Sequence, residues 1–288
     1  MVAMPILEDK QKEQLRGLFA GLDNEVNVVM FSREIECEHC RLTRDLLTEV
    51  STLSDKIKLT VKNFVEDKEE VSKFKLDKIP ATVIMGEKDY GIRYYGVPAG
   101  YEFTSLIEDI ILVSRRDPGL PPEVLAELAK VDQPVHVQVM ISPTCPYCPM
   151  AVRTAHKLAM ANDNITADMV ETTEFPHLVR KYDVQGVPHT VINEFYSFVG
   201  PLPELETAYE ILRALGKPAP PVHVHAEEVS GAGAVHDHGH DHAHDHDHEH
   251  VHQHEHQAAP PRPFQEKPAK KAPENKAARP DKKKSKKK

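Results

Sequence analysis

The chain is 288 residues long, with 45 Asp and Glu against 36 Lys and Arg and a formal net charge of −9. That length suits two domains of ordinary size with chain left over, and no stretch approaches the ~18 apolar residues of a membrane span. The acidity lies in residues 1–216, which hold 34 acidic and 23 basic side chains, so nucleic-acid binding is not expected of the folded part.

From the N-terminus, Met1 to Lys12 has no apolar core behind a basic start and reads as no secretory signal, so the expected compartment is the cytoplasm. Asp9 to Leu22 sets Leu15, Leu18, Phe19 and Leu22 at helical spacing, and Val26 to Phe31 is a short apolar run suited to a buried strand. A helix is predicted over Arg41 to Leu53, a strand over Leu59 to Phe64 and a helix over Asp67 to Phe74. A hairpin of Ala81 to Met85 and Ile92 to Tyr95 follows, then a closing helix from Tyr101 to Arg115. The cluster Asp117-Pro-Gly-Leu-Pro-Pro stops that helix. The same order then returns: helix Glu123 to Lys130, strand Val135 to Ile141, helix Met150 to Met160, strand Ile165 to Val170, helix Phe175 to Tyr182, strands Thr190 to Asn193 and Tyr196 to Val199, helix Glu204 to Leu215. Tyr94, Tyr95, Phe195 and Phe198 read as core.

The return is a sequence repeat at an offset of 108 residues. It superposes Cys37 and Cys40 on Cys145 and Cys148, Pro80 on Pro188 and Thr82 on Thr190 without a gap. The expected organisation is therefore an α/β unit over 1–117, a second over 118–216, and a disordered tail over 217–288, rich in His and then in Lys.

Only four cysteines occur, as two Cys-x-x-Cys pairs. In a reducing compartment such pairs mean redox or metal chemistry rather than structural staples. A cysteine at a helix mouth gains thiolate character from unpaired N–H groups and the helix dipole. In Ser142-Pro-Thr-Cys-Pro-Tyr-Cys-Pro, Thr144 or Ser142 is placed to cap the helix, Cys145 sits at its mouth, and Pro146 suits the first turn. Cys145 is then the attacking thiol, and Cys148, one turn on, the resolving one; Cys37 and Cys40 hold the matching places. Tyr147 reads as a packing and substrate-contact side chain, and His39, Pro146 and Tyr147 as modulators of the thiols. Glu34 and Glu36 oppose a thiolate at Cys37, whereas a protonated His39 favours it. Ile79-Pro80 and Val187-Pro188 each lie 43 residues beyond the first cysteine of their pair. A cis X–Pro bond there would turn the preceding backbone outward to pair with a substrate polypeptide.

Cys-x-x-Cys at a strand-to-helix junction, followed by Ile/Val-Pro-Ala/His-Thr, resembles the thioredoxin and glutaredoxin superfamily. The tandem arrangement with Pro-Thr-Cys-Pro-Tyr-Cys-Pro resembles the glutaredoxin-like protein disulfide oxidoreductases of archaea and thermophilic bacteria, over about residues 5–216. The resemblance implies two thioredoxin/glutaredoxin-like folds, each a central mixed sheet flanked by helices. It also implies dithiol–disulfide exchange on disulfide-containing proteins with no required cofactor, recharged by a thioredoxin-reductase-type flavoprotein. A similar tandem passes electrons toward a peroxiredoxin in alkyl hydroperoxide reductase flavoproteins. Thioredoxins also keep an acid in the central strand to take a proton from the resolving cysteine. Neither Val26 to Phe31 nor Val135 to Ile141 contains one, which leaves the proton acceptor open.

Besides an electron shuttle from such a flavoprotein to a peroxiredoxin, three alternatives stand beside this reading. The two pairs form one zinc site, the first pair is a structural remnant, or the protein handles metal through its tail. His136, His156 and His177 read as surface or satisfied core histidines. Of 18 histidines, 13 fall between His223 and His256. His236, His238, His240, His242, His244, His246, His248, His250, His252, His254 and His256 alternate with other residues as interchangeable weak ligands for nickel, zinc or copper.

Overall fold

A computed structural model describes residues 6–33 and 37–221. The first repeat comprises α1 (Asp9–Phe19), β1 (Val26–Ser32), α2 (Cys40–Ser51), β2 (Ile57–Asn63), α3 (Lys68–Lys73), β3 (Ala81–Met85), β4 (Asp89–Tyr95) and α4 (Glu102–Arg115). The second comprises α5 (Pro122–Leu128), β5 (Val135–Ile141), α6 (Cys148–Ala161), β6 (Ile165–Glu171), α7 (Pro176–Lys181), β7 (His189–Ile192), β8 (Tyr196–Val199) and α8 (Glu204–Ala214). The order predicted from periodicity is the order observed. The helices after both cysteine motifs begin earlier than expected, on the second cysteine itself.

Both repeats share one mixed eight-stranded sheet, ordered β2-β1-β3-β4-β6-β5-β7-β8. The joint is a parallel pairing of β4 with β6, from Ile92 opposite Ala167 to Tyr95 opposite Val170. An unpaired β4 would leave an edge exposing its backbone groups; the second repeat covers it, and Tyr94 and Tyr95 are buried there. Across the sheet, β3 is antiparallel to both β1 and β4, while β4, β6 and β5 are mutually parallel. It follows that β1 and β5 point the same way. They are four strands apart, roughly 19 Å at the usual strand spacing, and the cysteine motif after each opens on the same sheet edge.

One face of the sheet carries α1, α2, α4, α5, α6 and α8 around a continuous core that includes Phe19, Met30, Leu47, Ile110, Leu158 and Ile211. The other face is smaller, with α3 and α7 packed over Phe31, Phe74, Tyr95, Phe175 and Tyr182.

Four expectations need correction. Leu18 and Phe195 are half exposed rather than core. Leu18 lies beside the buried stripe of Leu15 and Phe19, and Phe195 follows a turn in which Asn193 and Glu194 take positive φ. His156 is core but not satisfied, its Nε2 being buried without a partner. Lys217 is not in free chain, because its ammonium pairs with Asp132 at 2.7 Å and donates to the Lys130 carbonyl. The proposed ligands from His236 to His256, and Glu34 and Glu36, lie outside the described residues.

Candidate redox sites

In the second repeat, Ser142 and Thr144 do not cap α6. Their hydroxyls bond each other at 3.1 Å, and the helix starts at Cys148 behind an uncapped Tyr147. Cys145 sits one turn ahead, its N–H donating to Ser142 at 3.0 Å. Pro146 therefore shapes this turn, and Pro149, in the first turn of α6, forgoes an N–H that would have had no intrahelical partner. The Cys148 N–H donates to the Cys145 sulfur at 3.2 Å, which supplies the helix-mouth donor the sequence suggested. The Cys145 thiol in turn points at the Val187 carbonyl, 3.6 Å away. Val187-Pro188 is cis, as is Ile79-Pro80. Cys145 is partly exposed and Cys148 buried. Burial first, and then the hydrogen bond to Cys145, push the Cys148 thiol well above its ordinary value. Tyr147, Met150 and Tyr101 are exposed.

Tyr101 belongs to the first repeat, and its backbone meets the second through a close contact between loops. Its N–H donates to the Pro143 carbonyl at 3.0 Å. Gly100 before it has φ of +61°, and a Cβ there would lie 2.2 Å from that same oxygen. Only glycine fits this approach.

The first repeat also supplies an acid. Glu102, in the first turn of α4, is fully buried. Its Oε2 accepts the Ser105 hydroxyl at 2.8 Å, and its Oε1 is buried without a partner. Burial raises its carboxyl to about 7, against the Ser105 hydrogen bond and the charge of His156, and its own charge helps hold up the Cys148 thiol. Sequence reasoning missed Glu102 because it searched the central strands of each repeat, and this acid comes from a helix of the neighbouring repeat. The available signal was an unpaired Glu among apolar residues at the start of a predicted core helix.

In the first repeat, Cys37 and Cys40 are joined in a disulfide, with Cys40 buried. His39 is the residue before α2 and makes no side-chain cap. A carboxylate again comes from the other repeat. Glu174 accepts the Val97 N–H at 2.7 Å, and neighbouring Gly96 donates to Pro80. Burial raises the Glu174 carboxyl, against the Val97 hydrogen bond and the charge of His39.

The four cysteines do not form one zinc site. The pairs follow strands four places apart, far beyond a ~2.3 Å zinc–sulfur bond. Among the described residues no group of three or more His, Cys, Asp or Glu is placed to hold a metal, and no helix is long and apolar enough to cross a membrane.

Two repeats, each with a Cys-x-x-Cys after its first strand and a cis-proline before its third, define a tandem thioredoxin-fold redox protein. The thioredoxin-domain family matches residues 135–213. A protein disulfide oxidoreductase from Aeropyrum pernix is 31% identical with a TM-score of 0.68, the match covering 73% of this chain and 94% of that one. The chain belongs to the protein disulfide oxidoreductases. An N-terminal domain of alkylhydroperoxide reductase from Enterococcus faecalis shares the fold at 24% identity and a TM-score of 0.66, over 70% of this chain and 98% of that one. Two longer relatives also match. The NADH dehydrogenase of Bacillus subtilis is 27% identical over 190 residues, 65% of this chain, and an alkyl hydroperoxide reductase of Staphylococcus aureus 26% over 183, or 63%. This chain spans only 34% and 33% of their lengths.

Proposed function

We propose that the protein exchanges dithiols for disulfides in polypeptide substrates, with Cys145 as nucleophile and Cys148 as resolving thiol. The Cys145 thiolate attacks a substrate disulfide, forms a mixed disulfide and releases one substrate thiolate. Cys148 gives up its proton, attacks the Cys145 sulfur, releases the second substrate thiolate and leaves a Cys145–Cys148 disulfide. Glu102 is the acceptor for the Cys148 proton. The Val187 carbonyl and the cis-proline edge offer main-chain pairing to an extended substrate, and Tyr101, Tyr147 and Met150 offer it exposed apolar side chains. Cys37 and Cys40, with Ile79 and Pro80 beside them and His39 and Glu174 tuning them, form a second centre on the same sheet edge.

One observation carries the reading. The accessible Cys145 sulfur lies between the Cys148 N–H and the Val187 carbonyl, so thiolate stabilisation and substrate pairing meet at one atom. Reduction of insulin disulfides by dithiothreitol-charged protein tests it: Cys145→Ser should lose most of the rate and Cys37→Ser a smaller part. Near-full activity in Cys145→Ser, with loss in Cys37→Ser, would reverse the assignment.

A second reading is favoured by the match to the staphylococcal alkyl hydroperoxide reductase. Here the protein relays electrons from a thioredoxin-reductase-type flavoprotein to a peroxiredoxin. Peroxide-dependent NAD(P)H oxidation in a reconstituted three-component mixture distinguishes it: the relay requires this protein and Cys145, and general exchange does not require the peroxiredoxin.

A further inference from the structure

The two repeats differ most where one of them is covered and the other is not. Met140, Val152, Met169 and Val170 of the second repeat are all fully buried, and β4 of the first repeat lies along β6 and against α6. At the repeat offset of 108 their counterparts are Ser32, Arg44, Val61 and Lys62. There β2 is the edge of the sheet, with no described strand beyond it. The place that is apolar and covered in the second repeat is open and mostly polar in the first. It forms a cavity of about 360 Å³ lined by Ser32, Arg44, Val61, Lys62, Asn63 and Glu66.

Lys62 is taken up by Glu70 at 2.8 Å and Asp67 at 3.5 Å. Arg44 is not taken up. Among the described residues its guanidinium has no carboxylate partner and one hydrogen bond, to the Ser32 hydroxyl at 3.1 Å. Its Nε is buried without a partner. A charge that only keeps a sheet edge soluble stands in water, whereas this one is half-buried and turned back onto β1. Under-used donors on a partly buried guanidinium are costly, and its planar fork matches a carboxylate. Asn63 adds a second donor, because its side-chain oxygen accepts the Val65 and Glu66 N–H groups and its amide nitrogen has no partner among the described residues. Glu66, the only acid in the wall, is exposed. Arg44 also lies beside the redox pair. It follows Cys40 by four residues on α2, so the two share a face one turn apart, and Ser32 ends the strand that leads into Cys37.

We propose that this cavity selects the substrate of the first redox pair: Arg44 binds a carboxylate carried close to the disulfide that Cys37 attacks, so the first centre prefers acidic disulfides and the second does not. The proposal rests on Cys37 and Cys40 acting as a dithiol. Two electrons pass from that dithiol to the substrate. The Cys37 thiolate attacks one substrate sulfur and the other leaves as a thiolate; Cys40 then releases its proton to solvent, attacks the Cys37 sulfur and expels the second substrate thiolate. Arg44 holds the carboxylate and gives up no proton.

The test uses the reduced full chain carrying Cys145→Ser and Cys148→Ser, mixed in stopped flow with two chromogenic disulfides. Dithiobis(nitrobenzoate) carries a carboxylate on each ring and dithiodipyridine carries none. The ratio of their rate constants cancels differences in folding and in thiol reactivity. Arg44→Gln should lower this acid-to-neutral ratio about tenfold, as the loss of one charge-assisted hydrogen bond requires, and Arg44→Lys should lower it less. Arg41→Gln, which removes an equal charge from an exposed position of the same helix, should leave it within about twofold. In the chain carrying Cys37→Ser and Cys40→Ser, Arg44→Gln should not change it. An unchanged ratio in Arg44→Gln, or an equal fall in Arg41→Gln, overturns the proposal. Should Arg44→Gln not fold, Val61→Glu, which sets a carboxylate on an exposed part of the cavity wall, must lower the ratio in the same sense. If neither reagent oxidises Cys37 and Cys40, the redox reading of that pair falls and this proposal with it; if the pair reacts without an Arg44 effect, only this proposal falls. Disulfide-linked peptides with Glu or Gln beside the cysteine separate the sources of the carboxylate. A Glu preference lost in Arg44→Gln assigns it to polypeptide substrates, and a preference confined to the nitrobenzoate assigns it to small acidic disulfides.

Discussion

Glu102 links stability to acidity through one side chain. Its carboxyl titrates near 4.5 when free and about 7 when folded. The folded state therefore binds the extra proton between those values, so this contribution to stability is complete below about pH 4.5 and is lost as pH rises through about 7. At about 1.4 kcal/mol per unit, the loss is on the order of 3 kcal/mol. Denaturant unfolding should show Glu102→Gln close to the parent protein near pH 4 and more stable than it near pH 8. Equal stabilities at both values would mean that Glu102 is ionised in the fold at little cost. The same substitution should slow the resolving step at neutral pH, which makes the site an exchange of stability for function.

At the scale of elements, the loop between β4 and α4 joins the repeats chemically as well as mechanically. Gly100 allows its backbone to meet Pro143 just ahead of Cys145, and the next two residues are the exposed Tyr101 and the buried Glu102, whose charge acts on Cys148. Gly100→Ala would force a Cβ against the Pro143 carbonyl in a left-handed backbone conformation. It is expected to cost about 1–3 kcal/mol and to lower turnover through Cys145, read by thermal unfolding and insulin reduction. Unaltered stability and rate would show that the loops separate without consequence. The repeat, the cysteine spacing and both prolines were legible in the sequence because they depend on local order. The β4–β6 pairing, the Gly100–Pro143 contact and the placing of Glu102 and Glu174 were not, because each depends on how one repeat docks against the other. Offset comparison shows that two units resemble each other and is silent on which edges meet. The expected cap at Ser142 or Thr144 failed for a local reason: the Cys145 turn intervenes and moves the helix start to Cys148.

For the whole molecule, the joined sheet brings a buried carboxyl of each repeat toward the other: Glu102 of the first acts on Cys148, and Glu174 of the second accepts the Val97 N–H and acts on His39. The histidine-rich extension stands apart from this design. We propose that its alternating imidazoles bind nickel, zinc or copper weakly and divert them from the cysteine thiolates. Truncation after Pro221 keeps the Lys217 contacts with Asp132 and Lys130. The shortened protein should retain metal-free disulfide reduction, lose most nickel and zinc binding, and become more easily inhibited by those ions. Identical inhibition curves for the two proteins would remove the protective role.

The central claim is that Cys145 attacks and Cys148 resolves, and it is tested most directly by trapping the intermediate. Without Cys148 the mixed disulfide has no internal route to collapse. The reduced full chain carrying Cys148→Ala, mixed with a disulfide-containing protein and quenched in acid, should accumulate a covalent adduct that peptide mass spectrometry places on Cys145. An adduct confined to Cys37, or none at Cys145 under conditions in which the parent protein turns over, would contradict the account.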